Sequence, residues 1–336
     1  MFKRIVVFLS IPLLLLSAFA GLLYLHLQQT TDADLAFDIP RGDNLSSIVQ
    51  RLQGNQSLPV DGAVFKALAL LTRDEGPVLA GQYQILQGMT AMDLLALFRS
   101  GKVIQYRITF PEGWRLSDWL NAMDDAPYLV RHLKTADKAQ VAKVLGFEHD
   151  PEGWFFPDTY QYVKGDSDVT ILGMARERMA QVLDEEWSRR GMVSHLESPT
   201  DALTLASIIE KETGFEPDRP VVASVFHNRL MTGMKLQSDP TVIYGLGDAF
   251  DGDLKRSHLR ADTPYNTYTR KGLPPTPIAM PSAAAIDAVL HPSFTGNLYF
   301  VARGDGTHKF SKTLKEHNRA VIEYQLNGDA SRLKSQ

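Results

Sequence analysis

The sequence predicts an α+β fold, and three observations carry the prediction. A strand, a turn and a helix succeed one another three times before residue 125. Two helices with apolar stripes fill the middle of the chain, and from Leu236 onward Pro, Gly and Tyr surround short strands. With 44% hydrophobic and 22% charged residues in a length of 336, the chain can bury a core over two or three domains.

In chain order, Ile5 to Leu25 come first: 21 consecutive uncharged, mostly apolar positions behind Lys3 and Arg4. At about 1.5 Å per residue, such a helix crosses a hydrocarbon core of about 30 Å. Ala18-Phe19-Ala20 looks like a signal-peptidase site, but the apolar run continues to Leu25, which predicts a retained anchor over residues 1–27. Basic residues on the short side, with Asp32 and Asp34 on the other, predict a cytoplasmic N-terminus and a single pass that leaves the bulk outside. Residues 28–34 read as a polar linker.

Phe37 to Ile39 then predicts a strand, and Asn44 to Leu52 a helix capped by Asp43 or Asn44. The series recurs as Gly81–Ile85 with Ala91–Phe98, and approximately as Val103–Phe110 with Leu116–Met123. Residues 125–150 read as loop and short helix, and Pro151 to Tyr160 as an aromatic loop. Ile171, Met174, Ala175, Met179, Val182, Leu183 and Trp187 give the stripe of a long amphipathic helix between Ser167 and Arg190. Ser198 as N-cap, Pro199 at the first helical position and Asp201 three places beyond the cap start a helix that runs to Thr213 and stops at Gly214. Asp218-Arg219-Pro220 opens another helix. Asn297–Ala302 is the clearest strand, followed by a hairpin turn at Arg303-Gly304-Asp305-Gly306-Thr307.

Several chemistries find no parts. A net charge of -4 gives no general reason to expect a nucleic-acid partner. Without cysteine there is no disulfide, thiolate nucleophile or Cys-ligated metal. His-Glu-x-x-His, Gly-x-Ser-x-Gly and P-loop spacings are missing as well, so no metal or organic cofactor is implied.

Chemistry is instead expected in Leu205-Ala206-Ser207-Ile208-Ile209-Glu210-Lys211-Glu212-Thr213, because a carboxylate on an otherwise apolar helix is costly unless paired, hydrated or used. Both glutamates sit in the last turn, where the helix dipole and apolar neighbours favour the neutral acid. Periodicity does not choose between them, and the plain structural alternative is an ion pair with Lys211 or Arg219. Three later segments are polar and aromatic in the manner of sugar clefts: Leu236 to Gly245, Pro264 to Tyr268 and Gly272 to Ile278. Turn formation and core filling explain each of them singly. His308 reads either as a substrate contact or as a packing residue.

Glu152-Gly153-Trp154-Phe155-Phe156-Pro157-Asp158-Thr159-Tyr160, the Glu210 segment, Gln237-Ser238-Asp239-Pro240-Thr241, Tyr265-Asn266-Thr267-Tyr268 and Gly272-Leu273-Pro274-Pro275-Thr276-Pro277-Ile278 occur in that order. Together they resemble the endolytic murein transglycosylases, the MltG or YceG-like family. The resemblance implies an inner-membrane lyase with a LysM-like subdomain at about 35–105 and a catalytic domain at 106–336. It would cut peptidoglycan strands internally, between N-acetylmuramic acid and N-acetylglucosamine, and leave 1,6-anhydro ends. The family's catalytic glutamate carries over to Glu210. Gln237, Ser238, Tyr265 and Asn266 are the expected sugar contacts, with Glu152, Asp158 and Asp239 in the same substrate-binding set as residues that orient the loops. Peptidoglycan synthases (penicillin-binding proteins) are the implied protein partners. Two competing readings are a muramidase with Asp158 or Asp239 as second carboxylate, and a membrane-tethered glycan-binding scaffold without catalysis.

Overall fold

The computed structural model describes residues 15, 17–134, 137–193 and 195–335. Much of the expected anchor, residues 5–14 and 16, lies outside the described residues. Residues 17–27 are helical with Phe19, Leu22, Tyr24 and Leu25 exposed, and no described helix is long and apolar enough to cross a membrane. The chain divides into two compact units, one of residues up to Tyr106 with Gln161–Gly165, the other of Arg107–Tyr160 with Asp166–Gln336.

In the first unit, β1 (Leu35–Ile39) and β2 (Gly81–Ile85) pair antiparallel with Phe37 opposite Tyr83. Strand alternation sends Phe37, Ile39, Tyr83 and Ile85 to one face. There they meet buried side chains of α1 (Leu45–Gly54), α2 (Gly62–Leu71) and α3 (Ala91–Ser100): Ile48, Leu52, Phe65, Leu94 and Phe98. The Tyr83 hydroxyl, fully buried, lies 2.9 and 3.1 Å from the carbonyls of Leu79 and Phe98, so its polar tip is satisfied. Asn44 caps α1, as expected, and a Thr90–Asp93 capping box starts α3. α2 is an addition to the expected series.

The second unit is built around one helix. After α4 (Leu116–Asp124), α5 (Lys138–Leu145) and α6 (Asp168–Ser188) comes α7 (Pro199–Glu212), whose capping box of Ser198 and Asp201 and proline in the first turn match the sequence. Every residue from Ala202 to Ile209 is buried. α8 (Arg219–Met231), α9 (Asp239–Leu246) and α11 (Ala283–Leu290) surround α7 together with α6, and the short α10 (Arg256–Arg260) follows α9. A helix covered on all sides shows no polar stripe. The hairpin of β3 (Tyr299–Ala302) and β4 (His308–Ser311) packs on α12 (Leu314–Tyr324). The expected strand and its turn are therefore present, but the Pro-, Gly- and Tyr-rich region from Leu236 onward also contains four helices.

Candidate active site

Residues two apart on a helix project about 200° apart, so Glu210 and Glu212 leave α7 on opposite sides. Glu210 is nearly buried, its side chain 6% exposed. Its Oε2 accepts the backbone N–H of Ser282 at 3.0 Å and the Ser282 hydroxyl at 2.5 Å. Ser282 is the N-cap of α11, and its Oγ also accepts the Ala285 N–H at 3.1 Å. The carboxyl thus sits on the positive end of a helix. Oε1 faces the Arg219 guanidinium at 3.4 Å, so the cation named in the ion-pair alternative is at hand. Lys211 turns elsewhere, donating to the Gly113 carbonyl at 3.1 Å.

That carbonyl belongs to a loop that sequence reasoning did not place here. The Gly113 N–H donates to Met280 O and the Met280 N–H to Trp114 O, both at 2.8 Å, which stitches Pro111–Trp114 to the segment before Ser282. Gly113 adopts φ +73°, and a Cβ on it would stand 3.7 Å from Glu210 Cγ. Its neighbour Glu112 has its proton affinity raised first by burial and then by the charge of Glu210, with Arg219 opposing. A signal for Glu112 was present: Pro-Glu-Gly-Trp occurs twice, at 111–114 and 151–154. Only the second copy entered the expected set.

Glu212 faces a cavity of about 580 Å³ whose wall includes Arg229, Gln237, Asp239, Tyr268 and Tyr299. Burial pushes its carboxyl up to about 7, against a 2.5 Å hydrogen bond from the Ser238 hydroxyl. Asp239 adds to the rise and Arg229 opposes it. Tyr268 donates to Asp239 at 2.5 Å, and His308, held by Asp218 at 3.0 Å, lines the same cavity. Of the expected residues, Gln237, Ser238 and Asp239 therefore gather around Glu212 and not around Glu210.

The others hold loops. The buried Asn266 amide donates to the carbonyls of His258, Leu259 and Ala261 and accepts the Tyr268 N–H, so its hydrogen-bonding capacity is used within the protein. Tyr265 reaches Thr276 at 2.9 Å and packs edge-on against Tyr244, at 4.8 Å between ring centroids. Glu152, 1% exposed, accepts the Leu116 N–H at the start of α4, the Tyr244 hydroxyl and the Lys138 ammonium. Asp158 accepts its neighbouring Thr159 N–H at the start of the strand Thr159–Val163. The aromatic loop still meets a second motif: a Cβ on Gly153 would fall 2.3 Å from Pro277 Cβ. Pro277 in turn precedes Ile278, whose N–H donates to Ser207 on α7 at 2.9 Å.

A model of the YceG-like family matches residues 37–323. An endolytic murein transglycosylase of Bacillus subtilis (strain 168) is 33% identical over 309 residues, 85% of this chain and 84% of that protein. One from Streptococcus pneumoniae (strain D39) is 27% identical over 320 residues, and there the match spans little more than half of the relative, 57%. Among solved structures, a yceG-like protein from Listeria monocytogenes superimposes with a TM-score of 0.54 at 27% identity, over 86% of this chain and 99% of that one. A mixed α+β fold, the ordered motifs around α7 and these likenesses over most of the length agree, and the chain belongs to the YceG-like family.

Proposed function

We propose that this protein is an endolytic peptidoglycan lytic transglycosylase with Glu210 as its acid and base. The observation that carries the reading is the carboxyl of Glu210, fixed at the end of α7 by Ser282 and Arg219 with its side chain still 6% exposed. The names of the relatives support the reaction class. Protonated Glu210 donates to the glycosidic oxygen between N-acetylmuramic acid and N-acetylglucosamine. The carboxylate so formed accepts the proton of the muramyl C6 hydroxyl as that oxygen attacks its own anomeric carbon and closes a 1,6-anhydro ring. One carboxyl group serves both steps, and the intramolecular nucleophile needs positioning more than activation.

A hydrolytic second reading is favoured by Glu112, a carboxyl in electrostatic reach of Glu210. In place of Asp158 or Asp239, Glu112 would be its water-activating base. Residues 1–27 as an inner-membrane anchor, the first unit as a LysM-like subdomain, a periplasmic catalytic domain and synthase partners complete the proposal. Mass spectrometry of products from purified peptidoglycan tests it. Anhydro-muramyl ends within strands are expected, and reducing muramyl ends would establish the hydrolase. Glu210→Gln should lose activity by roughly 10²–10⁴-fold, the usual contribution of a general acid. Full cleavage by that variant, with loss in Glu212→Gln instead, would transfer the role to Glu212.

A further inference from the structure

Away from Glu210 and the cavity, the C-terminal ends of two helices of the second unit converge, α6 ending at Ser188 and α11 at Leu290. Both carry the negative end of a helix dipole. Glu186 on α6 and Asp287 and His291 on or just beyond α11 stand there, with one ligand atom of each within 4.8 Å of the others. Glu186 is 8% exposed; Arg189 holds its Oε1, while its buried Oε2 has no hydrogen-bond partner. An unpaired buried carboxylate oxygen is costly. His291 Nδ1 stands 4.0 Å from that oxygen, and Asp287 Oδ1 lies 2.9 Å from the same nitrogen.

The far side of the imidazole ring decides what Nδ1 offers. His291 Nε2 is 2.8 Å from the Arg189 carbonyl, which can only accept, so Nε2 carries the proton. A backbone carbonyl on one ring nitrogen is the usual orientation of a histidine whose other nitrogen binds metal. A second proton, on Nδ1, would pair with Asp287 and leave Glu186 Oε2 too distant for a hydrogen bond. A cation among the three satisfies all of them. At bond lengths of about 2.0–2.1 Å, tetrahedral ligands stand roughly 3.3 Å apart. The 2.9 and 4.0 Å separations bracket that spacing. One imidazole with two carboxylates suits a first-row divalent ion better than magnesium or calcium, which favour oxygen alone.

We propose that Glu186, Asp287 and His291 form a binding site for a divalent metal ion of zinc type, which clamps the end of α6 to the end of α11. The other end of α11 begins at Ser282, the residue that holds Glu210. The full chain, freed of metal by a chelator, is titrated with zinc chloride by calorimetry and melted with and without zinc, with magnesium chloride as control. One equivalent of zinc should bind and raise Tm, and magnesium should not. His291→Ala and Asp287→Asn, both at exposed positions, should melt like the parent without metal. Each should lose zinc affinity by more than the roughly 10–100-fold that loss of an outer partner costs. No saturable zinc binding, equal binding of magnesium, or zinc binding that survives both substitutions would overturn the assignment.

Discussion

The Ser282 hydroxyl serves two ends at once, donating to Glu210 and accepting the Ala285 N–H. Ser282→Ala therefore removes a helix cap, at about 1 kcal/mol, and one of the contacts that orient the carboxyl. Unfolding in urea should show that loss of stability and kcat should fall, while Ser282→Thr, which keeps the hydroxyl, should restore both. A kcat unchanged in Ser282→Ala would mean that the hydroxyl does not hold Glu210 for reaction. Glu112 gives a complementary test, because the charge of Glu210 raises its proton affinity. In Glu210→Gln that contribution vanishes and Glu112 should titrate at lower pH, which carboxyl-labelled NMR reads directly. An unmoved titration would separate the two groups.

The two Pro-Glu-Gly-Trp copies show how one tetrapeptide serves different elements. Gly113 and Gly153 both take positive φ, but Glu112 keeps surface exposure beside Glu210, its carboxyl only partly desolvated, whereas Glu152 is buried at the N-terminus of α4 between Leu116, Tyr244 and Lys138. Glu152→Ala should cost roughly 1–3 kcal/mol, the range for leaving the buried Leu116 N–H without an acceptor, with most of the effect seen as a lower Tm. Glu112→Gln should leave Tm nearly unchanged, and equal losses in the two variants would refute the distinction. Sequence alone does not separate these copies, since burial is a property of the assembled unit. The sequence does show where α7 and α8 start, because Ser198, Pro199, Asp201 and Pro220 act locally. The orientation of Glu210 and Glu212 was hidden because Ala202–Ile209 is buried all round and leaves no polar face to read. α2 is hard to read for a related reason: it carries Lys66 as its one charge. α9, α10 and α11 are eight residues or shorter, too brief to repeat a 3.6-residue pattern convincingly. Residue type alone suits Asn266 and Ser238 to sugars, but their polar atoms close loops and hold Glu212. Glu186 and His291 lie too far apart in the chain to show a ligand spacing at all.

At the scale of the molecule, burial displaces two groups of the second unit in opposite directions. Glu212 rises from 4.5 to about 7. His227, buried with Nε2 2.8 Å from Val289 O and Nδ1 against His195, falls from 6.5 to about 4, burial outweighing the hydrogen bond. Below about pH 4.5 both folded and unfolded chains protonate Glu212, and the stability linked to its raised pKa is lost as pH climbs toward 7. For His227 the sign reverses: its contribution is complete above about 6.5 and is lost as pH falls through 4. Each displacement corresponds to about 3 kcal/mol at 1.36 kcal/mol per pH unit. Glu112 adds to the first slope, and His195 and His317 add to the second. Between pH 4.5 and 6.5 the two slopes oppose each other, so the unfolding free energy of the parent protein should be nearly flat there. Glu212→Gln removes one slope, and its stability should climb with pH over that window by up to about 3 kcal/mol. His227→Gln removes the other, and its stability should decline over the same window. Urea unfolding of the three proteins at closely spaced pH values measures all of this. A parent profile as steep as either variant's would show that one of the two buried groups does not titrate as its surroundings require.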